Sequence, residues 1–428
     1  MAAITVPVSV APIRELAASG ETSKTTIRFL LEAGLAMARL NVASHELEDV
    51  MDEVSRQLGV EARFNATPTS LFVGIGDGSD QHTHMLVVDR RSPNLARLSA
   101  LHGLLRRVSV GQIGVEDALE ELREIHARTR RGRLSWQVLM FIGVAGSSLV
   151  LSGASWADIA ASSAVGGLVA VFIYFAAGSK RLSPMIEFCA CLLAGASSSL
   201  LGHLFPPLNV FAVTLGAVLM LLPGMSLTTA VGEVAANALV SGSARLIGAV
   251  TVLISMTFGV ALGLKLGPSR VSLVTASPDL LLESAALLIG GVCIVASFGA
   301  RARHVPAGVV AGLIAYATSK HVGLWWSPDV GPVAGAFAVG LFSNVYARLT
   351  GQPASVALLP GVILLVPGSV GFRAIHALLD HNTMAGVEHL VAMVAVAMGI
   401  VTGLLMANMM CPARKLQSKR TNPGLESQ

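Results

Sequence analysis

The sequence has 428 residues, of which 53% are hydrophobic and only 13% are charged, and its mean hydropathy is +0.68. Ordinary soluble domains carry about 25% charged residues, so this composition excludes a soluble protein and indicates a membrane protein with many spans. The formal net charge is +4, but the basic residues flank apolar runs and form no stripe interleaved with aromatic residues, so nucleic acid is not an expected partner.

The N-terminus and the cysteines point to no targeting signal and no cofactor. Residues 1–21 lack the basic start and continuous apolar core of a cleaved signal, so we expect a flexible segment that stays on the side where it is made. The four cysteines lie in apolar segments without CxxC spacing, so we expect buried apolar side chains and no metal site. They are Cys189, Cys191, Cys293 and Cys411.

Residues 22–133 precede the apolar runs and predict a small cytoplasmic α/β domain, which we call the head. Apolar residues at three- and four-residue spacing predict one or two amphipathic helices over residues 23–58, with a break near Gly34. Alternating apolar residues then predict a small sheet with a hairpin. The predicted strands lie around residues 60–64, 71–75 and 84–90, and further helices at residues 95–108 and 115–128.

Two patterns in the head look like functional motifs but predict no site. Gly74, Gly76 and Gly78 form GxGxG, yet no helix start follows at the spacing that a phosphate-binding loop needs, so we expect a turn. His82 and His84 flank one residue of a predicted loop without an acidic or cysteine partner at ligand spacing, so no metal site is expected. The head shows no catalytic constellation.

From residue 134 onward the sequence contains ten apolar segments that could cross a membrane as helices. Fourteen Lys and Arg residues flank them on the side of the head and four on the other side, which predicts that both termini are cytoplasmic. The predicted spans are residues 136–152, 157–177, 185–204, 209–222, 244–266, 280–298, 306–318, 333–346, 355–370 and 387–410, followed by a cytoplasmic tail at 411–428.

A shift of 144 residues aligns the two halves of the membrane region. It places LLPGMSLTTAVGEVAANALVSGSARL (221–246) on LVPGSVGFRAIHALLDHNTMAGVEHL (365–390), so that each Pro-Gly pair meets its counterpart. The same shift overlays the first five predicted spans on the last five. Because five is odd, the second copy must run upside down, which predicts a polytopic α-helical protein of two inverted five-helix repeats, at residues 134–266 and 280–410.

Each Pro-Gly pair predicts a broken helix. Proline removes a backbone donor and clashes with the preceding turn, while glycine permits a change of direction, so backbone groups are exposed. In lipid such groups are tolerated only where protein or a water-filled cavity satisfies them. Paired breaks in inverted halves are typical of transport sites. The alternative is that each pair simply ends a helix at the membrane surface.

The residues after the first Pro-Gly pair are polar. Glu233 and Asn237 are four apart, which predicts one helix face for a small zwitterion, with Glu233 binding an ammonium group or a coupling proton. The alternative is a solvated Glu233. Glu187 is a second candidate proton site, or half of an interfacial ion pair. The candidate substrate-binding or coupling residues are Pro223, Gly224, Ser226, Thr228, Thr229, Glu233, Asn237, Ser241, Gly242, Pro367, Gly368 and Ser369.

Other ionisable residues have simpler interpretations. Asp158 lies at a predicted helix start, where a carboxylate stabilises the helix dipole. The second copy carries a cluster of ionisable residues that we expect in an exposed outer loop. These are His376, Asp380, His381, Glu388 and His389.

Four stretches resemble the threonine/serine exporter family. In the head they are FLLEAGLAMARL (29–40) and LGVEARFNATPTSLFV (58–73), and in the membrane region they are residues 221–246 and LLVPGSVGF (364–372). The resemblance covers residues 27–410. Glu233 stands where the family commonly has Asp, and Gly232 departs from a frequent basic residue. The residues that match the family pattern are Pro223, Gly224, Leu227, Thr228, Ser241, Gly242 and Arg245.

The resemblance implies a ten-helix exporter of the cell membrane, not an enzyme, that moves threonine and serine by secondary active transport driven by the proton gradient. Its partners would be the substrate, protons and the lipid bilayer, with a homo-oligomer as an open alternative. A second hypothesis is export of a small dicarboxylate such as succinate, which the shortage of basic residues inside the spans opposes. A third is a membrane-anchored hydrolase, which the ten repeated helices and the missing nucleophile and base oppose.

Overall fold

The structure, a computed structural model, consists of an α/β head followed by a helical membrane domain. It describes residues 21–76, 81–89, 94–127, 134–179, 181–205, 208–266, 279–365, 368–379 and 381–412. Pro367, Gly78, Lys180 and Asp380 lie outside the described residues, as do residues 1–20 and 413–428.

The head contains four helices and one sheet. Its strands form an antiparallel sheet in the order of the chain, with Phe64 opposite Val73 and Leu71 opposite Leu86. The predicted sheet, hairpin and flanking helices are confirmed. The elements are α1 (Glu21–Arg39), α2 (Ser44–Gln57), β1 (Ala62–Ala66), β2 (Ser70–Ile75), β3 (His82–Val87), α3 (Leu95–Ser109) and α4 (Val115–Ala127).

Two local predictions for the head are wrong. The helix break lies at residues 40–43, where Asn41 takes the left-handed conformation (φ 61°), while Gly34 lies inside the continuous α1. A β-carbon on Gly34 would lie 3.0 Å from the Leu71 side chain, so this glycine permits close packing of α1 on the sheet. His82 and His84 belong to strand β3 and not to a loop.

A single apolar core holds the head together. Side chains from all four helices meet the inner face of the sheet, and each buried Leu or Phe contributes about 1.5–3 kcal/mol to stability. This core fixes the positions of the N-termini of α2 and α3, both of which contact the membrane domain. Its largest fully buried members include Phe29, Leu30, Leu47, Met51, Leu71, Leu101, Leu104, Leu105 and Leu122.

The membrane domain repeats one series of helix lengths. The first half has helices of 18, 21, 19, 9, 12 and 26 residues, and the second has 18, 21, 21, 9, 12 and 28. The helices are α5 (Leu134–Leu151), α6 (Trp156–Ala176), α7 (Ile186–Leu204), α8 (Val210–Val218), α9 (Gly224–Ala235) and α10 (Leu239–Leu264), then α11 (Leu280–Ser297), α12 (Val305–Trp325), α13 (Val330–Thr350), α14 (Ser355–Ile363), α15 (Gly368–Leu379) and α16 (Thr383–Met410).

The described residues contain eight helical segments long and apolar enough to cross a membrane, or nine if one bent pair counts as a span. The bent pair is α8 with α9, which meet at 56°, so predicted span 209–222 is one arm of a broken segment. Helix α12 falls outside the set because Lys320 and His321 lower the hydropathy of its second half. Ten separate spans are therefore not reproduced helix by helix.

The two halves also pack in parallel ways. In the first half α10 packs on α7 and α9, and in the second α16 packs on α13 and α15. Gly259 of α10 and Gly403 of α16, which are 144 residues apart, each touch the backbone of the facing helix, at Phe188 and Val333. Small residues permit such close approach of membrane helices. The halves interlock because α9 contacts α16 and α15 contacts α10.

Candidate functional site

The two Pro-Gly breaks meet in the middle of the membrane domain. A β-carbon on Gly368 would lie 3.2 Å from Cβ of Leu222 and 3.4 Å from Cα of Gly224. Helices α9 and α15 begin at these two glycines, so two helix N-termini converge. The free N–H groups of each terminus carry about half a positive charge, which favours a negative ligand. Glycine at position 368 thus permits this close approach.

A cavity of about 940 Å³ lies beside the crossing, between the two halves. Gly224 and Met225 at the start of α9 and Gly368 and Ser369 at the start of α15 contribute to its wall. Other walls come from α5, α6, α8, α11, α12 and α14, with mainly apolar residues. Its remaining polar lining residues are Ser147, Ser148, Ser152, Asp158, Asn209, Tyr316, Arg373, His376, Asn382 and His389.

Asp158 is a structural member of this wall. Its carboxylate accepts hydrogen bonds from the Ser155 hydroxyl (2.7 Å) and from the backbone N–H groups of Ser155 (3.2 Å) and Asn209 (2.7 Å). The Ser155 hydroxyl also accepts from the N–H of Asp158, which completes a capping box at the start of α6. The predicted role of Asp158 at a helix start is confirmed, and the residue also ties α6 to α8.

Helix α15 brings cationic and imidazole groups to the cavity. Arg373 is exposed, lines the cavity and makes no hydrogen bond or ion pair with any residue that the structure describes. His376 stacks on Phe211 of α8, with ring centroids 4.6 Å apart. The expectation of an exposed outer loop is wrong for His376, which lies in α15, and for Glu388 and His389, which lie in α16. His381 does lie exposed in the turn between these helices. Helix α15 packs on α16 and α10.

A buried carboxylate that the sequence analysis missed lies next to the cavity. Glu283 of α11 is 7% exposed and accepts hydrogen bonds from the Tyr316 hydroxyl (2.8 Å) and from the Lys320 ammonium group, both on α12. Tyr316 also lines the cavity. The signal in the sequence was an acidic residue inside one apolar run and a lysine inside the next, but the two are 37 positions apart.

Glu233 lies in a second polar cluster, on the surface where the membrane domain meets the head. Its side chain is 0% exposed, and Arg245 of α10, 4% exposed, binds it through two parallel hydrogen bonds of 3.0 and 2.9 Å. The Ser241 hydroxyl donates to the same carboxylate at 2.9 Å. Such a two-pronged arginine–carboxylate pair is strong and directional.

The head completes this cluster, which we call the latch. The backbone N–H of Ser44, the first residue of α2, donates to Glu233 at 2.9 Å, and the Ser44 and Ser241 hydroxyls are 2.6 Å apart. Arg245 also donates to the Asn41 side chain. Each oxygen of Glu233 therefore has two donors, which fills the acceptor capacity of a carboxylate. The latch consists of Asn41, Ser44, Glu233, Ser241 and Arg245.

Glu48 lies one helical turn along α2 from Ser44, on the head side of the latch and near the Glu233 carboxylate. Its carboxylate accepts a hydrogen bond from the backbone N–H of Ala66 at 2.7 Å. Burial raises the pKa of the Glu48 carboxyl, and the neighbouring carboxylates of Asp52, Asp49 and Glu233 act in the same direction.

The predicted site residues divide between the cavity and the latch. Helix α9 ends at Ala235 and Asn237 takes the left-handed conformation (φ 63°), so the prediction that Glu233 and Asn237 share a helix face is wrong. The alternative of a solvated Glu233 is also wrong. Gly224, Gly368 and Ser369 line the cavity, Glu233 and Ser241 belong to the latch, Ser226 and Thr229 are half-buried outside both, and Asn237 is exposed.

The remaining predicted residues have local roles. Thr228 is buried, and its hydroxyl donates to the backbone oxygen of Gly224 at 3.2 Å. Gly242 lets α10 approach α9, because a β-carbon there would lie 2.9 Å from the Ala230 oxygen. Pro223 precedes α9 as its N-cap residue. Glu187 is half-buried at the start of α7 and makes no ion pair within the described part of the chain.

Several curated relatives come from yeasts and carry the name pheromone-regulated membrane protein 10. The one from Debaryomyces hansenii is 24% identical, over 84% of this chain and 37% of its own length. The Candida albicans protein is 27% identical over 81% and 33%, and the Eremothecium gossypii protein is 24% identical over 88% and 55%. The chain thus spans about a third to a half of these relatives. No solved structure matches it.

Family models match nearly all of the head and the membrane domain. A model described as "Putative threonine/serine exporter" matches residues 28–267, and one described as "Threonine/Serine exporter, ThrE" matches residues 283–410. The family consists of transporters and not of enzymes. With the apolar helices of the membrane domain, this supports a membrane transporter. Because the first model alone matches more than half of the residues, the chain belongs to the threonine/serine exporter family.

Proposed function

We propose that the protein is a secondary active exporter of the small hydroxy amino acids threonine and serine, driven by the proton gradient. The observation that carries the proposal is the cavity of about 940 Å³ whose wall contains the starts of both α9 and α15. Two converging helix N-termini suit the carboxylate that every amino acid carries. The chemistry of binding would thus come mainly from the backbone at Gly224 and Gly368.

Other lining groups fit the remaining parts of such a substrate. The hydroxyls of Ser147, Ser148 and Ser369 can bind the hydroxyl group of threonine or serine. Tyr316 donates its own proton to Glu283, so its phenolic oxygen is available to accept a hydrogen bond from an ammonium group. The mainly apolar remainder of the wall suits the methyl group of threonine.

The contacts of the head support an inverted arrangement of the repeats. In the first half the head touches the hairpin between α9 and α10. In the second half it touches the connection between α11 and α12 and the connection between α13 and α14, through Phe298 and Gln352. These positions are not equivalent under the shift of 144. If the second copy runs upside down, the connections that it presents on the face under the head differ from those of the first copy, as these contacts do.

The same reasoning gives the side on which the cavity lies. Its lining includes the end of α5, the start of α6, the start of α8 and Asn382 before α16, and all of these helix ends point away from the connections that touch the head. With the head in the cytoplasm, the cavity would face outward, as in the releasing state of an exporter. The two halves would rock about the Gly224–Gly368 crossing to expose the site alternately.

The coupling proton has three candidate carboxylates. Glu233 and Glu187 were predicted from the sequence, and Glu283 is added because Tyr316 connects it to the cavity wall. The full set of donors around Glu233 favours a structural role for that residue in this state. Glu283 accepts a hydrogen bond from Tyr316, which lines the cavity, so Glu283 is our preferred proton site.

Export of a small dicarboxylate is the second candidate, and one observation favours it. Arg373, His376 and His389 all line the cavity, so basic groups that were not expected inside the membrane domain are present beside the proposed substrate site. A second carboxylate needs a compensating cation, and Arg373 without a protein partner can supply one.

Flux in proteoliposomes tests both candidates. Vesicles with the purified full chain and an imposed pH gradient would be given labelled threonine, serine or succinate. We expect threonine and serine flux that collapses when an ionophore removes the gradient. Succinate flux without amino-acid flux would replace the first proposal by the second. Absence of flux for all three substrates would contradict both. Liposomes carrying the Gly368→Val variant serve as the control for leakage.

A further inference from the structure

The head contacts both halves of the membrane domain at once. On the first half it forms the latch with Glu233 and Arg245. On the second half the backbone N–H of Leu95 donates to the Phe298 oxygen at 2.9 Å, and Ser99 binds the side chain of Gln352. The head therefore bridges the two halves on the face opposite the cavity.

This bridge conflicts with transport by alternating access. If the two halves rock against each other, as the proposed function requires, their surfaces under the head must move relative to each other. The head has one continuous core, with α1, α2 and α3 in contact, so it moves as one body. It cannot keep both contacts through a cycle, and at least one has to open.

The latch is better placed to open than the contact with the second half. On the second half the contact is anchored by a backbone hydrogen bond and by two glycines, with Asn94 against Gly299 and Arg106 against Gly351. The latch instead joins the head to the C-terminal end of α9. The N-terminal end of the same helix, at Gly224, lies in the cavity wall. Twelve residues of helix span about 18 Å, so α9 connects the latch to the substrate site as a rigid rod.

Opening the latch leaves no unpaired charge. Glu233, Arg245 and Ser241 all belong to the hairpin of α9 and α10, so their mutual hydrogen bonds persist when the head leaves. The hydrogen bonds that are lost to water are those that Ser44 donates to Glu233 and Ser241 and the one that Asn41 accepts from Arg245. When the head leaves, the groups that separate become exposed to water, so each buried hydrogen bond between the head and the hairpin is replaced by one to solvent. The net cost of such an exchange is modest for each hydrogen bond, so the latch can open and close reversibly.

We propose that the head is the cytoplasmic gate of the transporter. It keeps the cavity facing away from the head by binding the Glu233–Arg245 pair through Ser44 and Asn41, and it releases that pair, while staying on the second half, when the cavity opens to the cytoplasm. This assignment rests on the proposed function for its direction of transport, but its core claim is a conformational equilibrium that can be measured without a substrate.

A reversible cross-link tests whether the latch opens. Ser44→Cys with Ser241→Cys, in a chain whose four native cysteines are replaced by Ala, places two thiols where hydroxyl oxygens lie 2.6 Å apart, within reach of a disulfide. Oxidation is expected to lower threonine flux at least tenfold, and reductant should restore it. Unchanged flux after complete cross-linking would overturn the gate. The matched control is Ser99→Cys with Gln352→Cys, joined by a short bifunctional thiol reagent because the Gln352 side chain is longer than that of cysteine. This cross-link should leave flux intact, and loss of flux there would overturn the fixed contact.

A second measurement needs no transport. Ser44→Pro removes both latch donors of Ser44, and proline fits there because Ser44 is the first residue of α2 and Ala43 before it is extended (φ −62°, ψ 142°). Ser369→Cys then reports access to the cavity from the outer side through its rate of labelling by an impermeant maleimide. We expect Ser44→Pro to slow labelling about tenfold, and Ser44→Ala, which keeps the N–H donor, to slow it less.

The two measurements separate failure of the gate from failure of the proposed function. Suppose that neither amino acid nor succinate is transported but Ser44→Pro slows the labelling of Ser369→Cys. That result would support the gate and contradict the assigned substrates. If threonine is transported and labelling is the same in Ser44→Pro and the parent, the proposed function stands and the gate falls.

Discussion

The hairpins α9–α10 and α15–α16 have the same design but face different partners. Each begins at a Pro-Gly pair, and each packs its short helix on the long helix of its own half and of the other half. The first hairpin carries Glu233, Ser241 and Arg245, all bound to the head. At the equivalent positions the second carries Ala377, Ala385 and His389, and two of these line the cavity.

This difference shows that two hairpins of similar length and packing contact different parts of the molecule. Both halves carry a glycine at the start of the short helix, and a β-carbon on Gly368 would press against Leu222 and Gly224. What differs is the polar face: the first half uses it to hold a domain, while the second directs Arg373 and His376 at the cavity. Arg373 stands opposite Thr229 in the alignment of the halves, and Thr229 does not reach the cavity.

The largest expected effect comes from breaking the latch inside the first hairpin. Arg245→Ala leaves Glu233 fully buried without its cation, so we expect a loss of about 3–5 kcal/mol of stability, seen as a lower melting temperature of the detergent-solubilised protein. The equivalent change in the second hairpin, His389→Ala, removes a half-buried side chain and should cost less than about 1 kcal/mol. Equal losses in the two variants would contradict the division of tasks.

The next effect tests what the two hairpins share. Gly368→Val adds a β-carbon 3.2 Å from Cβ of Leu222 and 3.4 Å from Cα of Gly224, which pushes the two breaks apart. A displacement near 1 Å at a binding site can cost about a hundredfold, and we expect flux in proteoliposomes to fall by about that factor. Gly248→Val is the control, since nothing lies within 4 Å of a β-carbon there; a similar loss of flux in that variant would remove the crossing as the cause.

A third comparison tests whether the long helices of the two halves are packed equally. A β-carbon on Gly259 would meet the Phe188 oxygen, and one on Gly403 would meet the Val333 oxygen, each closer than 3.0 Å. We therefore expect Gly259→Ala and Gly403→Ala each to cost about 1–3 kcal/mol, measured by thermal unfolding. If only one variant loses stability, the two halves are not equivalent at this helix–helix contact.

The smallest expected effect separates the two candidate substrates. Arg373→Gln removes the cation that a second carboxylate would need. Threonine has one carboxylate, which the starts of α9 and α15 would bind, so we expect its KM to change less than about twofold. The KM for succinate should rise about tenfold, since a charged hydrogen bond is lost on binding. Thr229→Val changes the equivalent position of the first half and should alter threonine flux less than about twofold. A total loss of succinate flux in Arg373→Gln, with threonine flux unchanged, would favour the dicarboxylate.

Local patterns in the sequence predicted much of the framework. Alternation over residues 71–75 gave strand β2, and spacing over residues 95–108 gave helix α3, because burial of one face leaves a local periodic trace. The first Pro-Gly pair predicted the bend between α8 and α9, because proline and glycine act on the local backbone. The break in the head was misplaced because Gly34 is a packing glycine, and the turn was made by Asn41 instead.

The candidate site was predicted only in part. Gly224, Gly368 and Ser369 do line the cavity. The four-residue spacing of Glu233 and Asn237 wrongly predicted one helix face, because spacing alone does not show that α9 ends before the left-handed Asn237. His376 was predicted to lie in an exposed outer loop, because a segment with several ionisable residues is usually solvated, and Arg373 belongs to the same segment. A helix packed against two others accommodates them at a cavity wall.

By itself, the sequence determined the class of protein, the head with its sheet, the similarity of the two halves of the membrane region, the break at Pro223 and Gly224, and the family. These features depend on composition, on neighbouring residues or on a shift along one chain. The tertiary structure decided which polar residues face the cavity and which face the head. The partner of Glu233 at Ser44 is 189 positions away, and that contact exists only because the head folds back onto the hairpin that follows Pro223 and Gly224.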